Sequence, residues 1–526
     1  MTKGAARKIG TKALDSPERP CYNLPHPPRL KEWKRYDSTV ESADYYMKTL
    51  LALSFALVLS TFADSVRADG NGRHDRRGIE TIRRWCALAN DASGLDHGTA
   101  REQMGPGRAS RAIAIVQIAV FDAVNAIDSR YQSFTAVRAP QGPVSVDAAV
   151  CQAAHDTLIA LFPSQRAALD LLLAEDLAAI RDKKAKGNGI EVGKRAAAAC
   201  LLSRANDGSQ IREPFLGVDW VTSDQPGHWR MDPISRLPVA LGGHWGECKG
   251  FVVESSSQFR APAFPPMTSP AYVASFNEVK SLGGDGVHTP TARTLDQTIA
   301  GIYWAYDGTP SLCAPPRLYN QIALQIAEQM GSDAMETARL LALANVAMAD
   351  ATLTCWESKY YYDIWRPVTG IRESDAGSGP TGAGDGNAAT IGDPNWSPLG
   401  APASNVPNGI DFTPPFPAYP SGHATMGGAL FQTLRNFYGT DDISFTFVSD
   451  EFNGITKDYA GNARPLLSRT FSSLSQAEEE NGQSRIYLGI HWSFDKIEGI
   501  NMGRRVANHV FRNSLQPLHS PQGNKN

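Results

Sequence analysis

"SRAIAIVQIAVFDAVNAI", residues 109–126, decides the fold class. Its apolar residues cover nearly every face of a 3.6-residue helix, the pattern of a helix surrounded by other helices. The neighbouring stretches share that period. "VDAAVCQAAHDTLIALF", "QRAALDLLLAEDLAAI" and "IEVGKRAAAACLLSRAN" follow with short breaks, so a run of four helices is predicted. Residues 207–268 are rich in Pro, Gly and Trp and read as a long irregular connection. Helical period returns at 290–306, 315–331 and 334–362, then at about 422–438 and 494–513. A second long loop, 374–419, is crowded with Gly and Pro. No alternating strand pattern of any length is evident. The expectation is an all-α protein of two helical bundles joined by long irregular loops. The first bundle with its linker would take 69–285 and the second 286–526, with the candidate site in the second.

The chain has 526 residues, length for about two to four domains. Hydrophobic residues make up 42%, charged residues 20%, and the net charge is −3. That is ordinary globular composition, and it argues against nucleic acid or an anionic membrane as the main partner. Residues 1–46 are polar and rich in Lys, Arg and Pro, and read as a gene-start artefact or disordered leader. From Met47 the chain runs "MKTLLALSFALVLSTFADSVRADG": a lysine, a short apolar stretch and a small-x-small site. This is the layout of a signal peptide over 47–68, with a mature chain starting near Asp69 in a secreted or periplasmic location. A buried helix within a longer N-terminal domain is the alternative. No later run of about 18 apolar residues stands out, so no membrane span is expected in the mature chain. Outside the leader, which holds Cys21, there are six cysteines: Cys86, Cys151, Cys200, Cys248, Cys313 and Cys355. An exported chain could pair them as disulfides. None falls in a CxxC pattern, which argues against a cysteine zinc site.

The chemistry gathers in three stretches. "PAYPSGHATMGG", residues 417–428, places Ser421 as an N-cap before a helix, with Gly422 and His423 in its first turn. Helix-start amides lack internal partners and attract anions, and an imidazole beside them can carry a proton. A capped helix with an ordinary surface histidine would have the same local sequence. Upstream, "WESKYYYDIWRPVTG" (356–370) spaces Lys359 and Arg366 seven apart, two helical turns, on nearly one face. A solvated pair beside Glu357 and Asp363 is the alternative. Downstream, "SRIYLGIHWSFDKIEG" (484–499) carries Arg485 and His491, with Asp495 one turn beyond His491. Together these supply one Lys, two Arg, a hydroxyl, helix-terminal amides and two His. That set suits an oxyanion of the phosphate type and lacks the carboxylates of a magnesium site.

The patterns KxxxxxxRP (Lys359 to Pro367), PSGH (Pro420 to His423) and SRxxxGxHxxxD (Ser484 to Asp495) resemble the three signatures of the superfamily joining vanadium-dependent haloperoxidases to type-2 phosphatidic acid phosphatases. "YWAYDG" (303–308), "PPRLYNQI" (315–322), "LGAPASN" (399–405) and "PPFPAYPSGHAT" (414–425) look like the chloroperoxidase branch. The likeness covers roughly 290–515. The Gly-rich insert "GSGPTGAGDGNAATIGD", 377–393, departs from the family pattern.

The resemblance implies vanadate as cofactor, with His491 as the ligand to vanadium. Lys359, Arg366, Arg485, Ser421 and the Gly422 amide would hold the vanadate oxygens, and Lys359 would polarise the bound oxidant. His423 would act as acid–base group, with Asp307 as salt-bridge partner of Arg485 and Asp495 as support for His491. Trp356 and Phe416 would line a halide pocket, core packing being the plain reading of both. The implied reaction is oxidation of chloride or bromide by hydrogen peroxide to hypohalous acid, which then meets an organic acceptor. A soluble secreted acid phosphatase using a phosphohistidine would employ the same residues. A periplasmic protein that only binds oxyanions is the third reading, and the two histidines count against it.

Overall fold

A computed structural model describes residues 70–518; the expected leader, signal peptide and mature start near Asp69 lie outside the described residues. The fold is built around the stretch quoted first. Helix α2 (Pro106–Asp128) starts on a proline at its first turn and is buried without interruption from Ala109 to Asn125. Around it come α1 (Gly70–Gly98), α3 (Val146–Leu161), α4 (Arg166–Ala178) and α5 (Lys183–Ser203). The 207–268 connection leads to α6 (Pro270–Leu282), α7 (Leu295–Tyr303) and α8 (Pro316–Gln329). The second central element is α9 (Ala334–Tyr362), opened by a capping box in which Asp333 and Glu336 each accept from the other's amide. It is followed by the short α10 (Pro367–Arg372), α11 (Gly422–Tyr438), α12 (Leu474–Tyr487) and α13 (Ser493–Asn513).

Helix α9 packs against α1 and α2 on one side and α11 and α13 on the other, so the two bundles share one continuous apolar core. Residues 131–132 pair with the C-terminal tail at 516–517, which ties the halves together again. Helix α6, which precedes the expected boundary at 285, packs on α10, α12 and α13 of the C-terminal bundle.

Three expectations need correction. First, the chain forms an antiparallel hairpin, β1 (Phe445–Asn453) with β2 (Leu466–Phe471). Its signal was present: in "FTFVS" the side chains of Phe445, Phe447 and Ser449 are buried while Thr446 and Val448 are exposed, a period of two. Second, Lys359 and Arg366 do not share a helix face. Helix α9 stops at Tyr362 because Asp363 turns left-handed (φ +52), and Arg366 is extended backbone ahead of Pro367. Third, α2 and α9 are long and apolar enough to cross a membrane; they are the central core helices, covered by the rest of the fold. All six cysteines outside the leader are free thiols, so the permitted disulfides do not form among the described residues.

Candidate active site

The three sequence stretches converge. Lys359, in the last turn of α9, is fully buried and donates from Nζ to Pro417 O and Ala418 O, both at 2.9 Å. Burial lowers it to about 7, because the charged ammonium has left water, and the Arg366 cation adds to the effect. Arg366 donates from Nε to Phe416 O and from Nη1 to Ile490 O, each at 2.8 Å, and from Nη1 to His491 Nε2 at 2.9 Å. Arg485, near the end of α12, donates from Nη2 to both oxygens of Asp307 at 2.8 and 2.7 Å. The end of the 374–419 loop thus forms one wall of the site through its carbonyls. The Gly-rich insert inside that loop is tied down by Asn387 Nδ2 on Met267 O and by Lys280 Nζ on Ile391 O, both at 2.7 Å.

Both histidines have fixed tautomers. His491 Nε2 faces the Arg366 guanidinium, which can only donate, so Nε2 is the acceptor and Nδ1 carries the proton toward Asp495 Oδ2 at 2.8 Å. This contact does not arise from helical i+4 spacing, since His491 precedes α13. Asp495 is turned back over the helix start, where its Oδ2 also accepts the Trp492 amide at 3.0 Å. Burial holds His491 well below the usual imidazole range and pushes Asp495 up to about 7. His423 Nε2 meets Ala305 O, and a carbonyl only accepts, so its proton sits on Nε2 and Nδ1 is free. Asp307 Oδ1 lies 3.7 Å from the same nitrogen. Burial first, and Arg485 second, lower His423 to about 4.

Ser421 is the N-cap of α11, and Gly422 and His423 are its first two residues. A Cβ on Gly422 would sit 3.1 Å from the Trp356 ring, so the helix start lies flat on that indole. Trp356 and Phe416 have ring centroids 4.9 Å apart, with Lys359 Nζ 5.6 and 5.0 Å from them. The structure therefore brings together Lys359, Arg366, Ser421, Gly422, His423, Arg485 and His491 with Asp307, Asp495, Trp356 and Phe416.

Other contributors were not read from the sequence. Tyr319 Oη and Asn481 Nδ2 donate to the His423 carbonyl at 3.0 and 3.1 Å. From the N-terminal half, Leu241 O accepts Trp356 Nε1 at 3.0 Å, and Gly242 (φ +76) leaves no room for a Cβ against that indole. Backbone carbonyls carry no sequence signal, and Tyr319 and Asn481 sit in ordinary helical patterns.

The donor set can be tested against the oxyanion it would hold. Arg366 Nη2 and Arg485 Nε and Nη1 are buried without a hydrogen-bond partner. Buried cationic N–H groups are costly to leave open, and a tetrahedral oxyanion offers the acceptors they lack. Among the described residues, no group of three or more His, Cys, Asp and Glu is placed to hold a metal cation directly. The site fits an anion.

A family model of the VCPO second helical-bundle domain matches residues 339–520. The chain is 39% identical over 248 residues to vanadium chloroperoxidase of Curvularia inaequalis. That match takes in 41% of this chain and spans 39% of the relative's length. Among solved structures, a bacterial vanadium-dependent iodoperoxidase superposes with a TM-score of 0.63 at 22% identity, covering 85% of this chain and 97% of that one. The apo form of a bacterial vanadium-dependent chloroperoxidase gives 0.57 at 15% identity, covering 78% and 94%. The chain has the fold of the vanadium haloperoxidases, and within its C-terminal bundle residues 339–520 match the VCPO second helical-bundle domain.

Proposed function

We propose that this chain is a vanadium-dependent haloperoxidase that uses hydrogen peroxide to oxidise chloride or bromide to hypohalous acid. One observation carries the reading: three unpartnered guanidinium nitrogens surround two histidines whose tautomers are already set. Vanadate would be held by Arg366, Arg485, Lys359, Ser421 and the Gly422 amide, with His491 Nε2 as the nitrogen ligand. Bound vanadate supplies a Lewis-acid centre that activates hydrogen peroxide toward halide without a change of oxidation state.

The residues do the rest. His423 Nδ1 is a neutral acceptor above about pH 4, able to take a proton from incoming hydrogen peroxide. Asp495 holds His491 Nδ1–H, which keeps Nε2 the lone-pair nitrogen; it accepts from Arg366 Nη1 here, and that guanidinium would give up its place on Nε2 to a bound vanadate. In its charged form Lys359 has two of its three N–H bonds on carbonyls, leaving one for an oxygen of the bound anion. Trp356 and Phe416 offer an apolar wall to a weakly hydrated halide. The signal-like segment at 47–68 supports export of the chain.

The test is bromination of a phenolic dye by purified protein with orthovanadate, peroxide and bromide, with p-nitrophenyl phosphate hydrolysis followed in parallel. Bromination that requires vanadate and falls with excess phosphate is expected. Hydrolysis of the phosphate ester without any halogenation would select the phosphatase instead.

A further inference from the structure

The 303–308 turn supplies the Ala305 carbonyl to His423 and the Asp307 carboxylate to Arg485. Its shape is unusual: Tyr306 is left-handed (φ +47), and so is Gly308 (φ +83). A bulky residue in that region is strained and persists only where its surroundings hold it.

The surroundings are the hairpin that the sequence reading missed. Tyr303 Oη donates to Phe447 O at 2.6 Å, Ser449 Oγ donates to Tyr303 O at 2.7 Å, and the Asp450 amide donates to Tyr306 Oη at 2.6 Å. The remaining contact is from the Tyr306 amide to Glu451 Oε1, at 3.4 Å. Glu451 is fully buried, and its Oε2 accepts from Ser404 Oγ and Arg464 Nη1, each at 2.6 Å. Burial raises this carboxyl to about 7. A buried ion pair is rarely the most stabilising way to fill such a space, since apolar residues of similar volume usually do as well. Its placement points to orientation.

We propose that Glu451 is a positioning residue for the anion site: by holding the Tyr306 amide, it keeps Ala305 O on His423 and Asp307 on Arg485. The proposal rests on the reading of the site as an oxyanion site. Without Glu451, the turn relaxes from its left-handed conformation. His423 then loses the acceptor that fixes its tautomer, and Arg485 loses the carboxylate that aims its two open nitrogens.

The experiment is calorimetric titration of inorganic phosphate into the vanadate-free full chain, alongside the pH–rate profile of vanadate-loaded protein. Glu451→Ala should weaken phosphate binding by about 10- to 100-fold, the usual range for removing a partner behind a ligand. It should also shift the limb of the profile that reports His423. Glu451→Gln keeps an oxygen for the Tyr306 amide and should recover part of the loss. Should Glu451→Ala fail to fold, Glu451→Gln and Ser404→Ala carry the test: weakened phosphate binding in both supports the proposal. Folded variants with wild-type phosphate affinity and an unchanged pH profile would overturn it. Wild-type protein that binds phosphate but never halogenates with vanadate would overturn the haloperoxidase reading alone.

Discussion

Among the buried arginines of the described residues, two pairs are finished differently. In the N-terminal half, Arg111 and Arg204 share Asp207 Oδ2 at 2.6 and 2.9 Å, while Arg111 Nη2 donates to Arg204 O and Arg204 Nη1 and Nη2 donate to Gly250 O and Lys249 O. No buried nitrogen of that pair is left open. In the C-terminal half, Arg366 has no carboxylate, Arg485 has Asp307, and three nitrogens are open. The residue types are the same and burial is similar. What separates a structural ion network from a binding site is the count of donors against acceptors. The first set is closed, and the second waits for a partner.

The comparison can be broken in several ways. The largest effect is expected at His491, the proposed nitrogen ligand. His491→Ala should reduce bromination to background and greatly weaken vanadate retention, with the helical circular dichroism signal kept; a variant that brominates normally removes His491 from the role. Next is His423, the proposed proton carrier. His423→Ala should still bind vanadate, because the arginines and His491 remain, but turn over about 10²- to 10⁴-fold more slowly. Its pH–rate profile should lose one limb, and an unchanged profile would return His423 to a helix-start residue.

The third test sets the two arginine pairs against each other. Asp207→Ala leaves two buried cations without their carboxylate and should cost about 3–5 kcal/mol of stability, with phosphate affinity untouched. Arg366→Met, which leaves no carboxylate without its cation, should do the reverse, abolishing tight phosphate binding at smaller cost in stability, measured by urea unfolding and calorimetry. Equal effects on both properties in both variants would erase the distinction.

The smallest effect concerns pH. A histidine held near pH 4 in the folded state and near 6.5 when unfolded binds its proton more readily in the unfolded chain. Its contribution is complete above pH 6.5 and is lost as pH falls toward 4, by up to about 3 kcal/mol. Asp495, raised to about 7, works in the opposite direction, its share being lost as pH rises. The readout is therefore the difference between wild type and His423→Asn across pH 4–7 in vanadate-free protein. A difference that does not narrow toward low pH contradicts the assignment.

The sequence showed what local chemistry encodes. Ser421 as cap, helix α11 beginning at Gly422, and the all-round apolar α2 are short-range facts, and each matches the structure. The residues of the cage were also legible, but the geometric reason given for Lys359 and Arg366 was not correct. Seven residues happened to span a helix end and a left-handed Asp363, and convergence on the 416–418 carbonyls puts the two cations together. The docking of the 303–308 turn on the hairpin was hidden for another reason. Tyr303 and Phe447 are 144 positions apart, and no periodicity reports such a pairing.

The free thiols have a consequence for handling. Five of the six are buried and Cys248 is half-buried, with none bridged, so no covalent tie among the described residues is at risk from reductant. Burial also pushes them away from the reactive thiolate; Cys248, the least covered, is raised to about 11. A stock can be kept reduced and then desalted into peroxide without changing its cross-links. An enzyme that releases a diffusible oxidant would keep its own most oxidisable sulfur mostly out of that oxidant's reach.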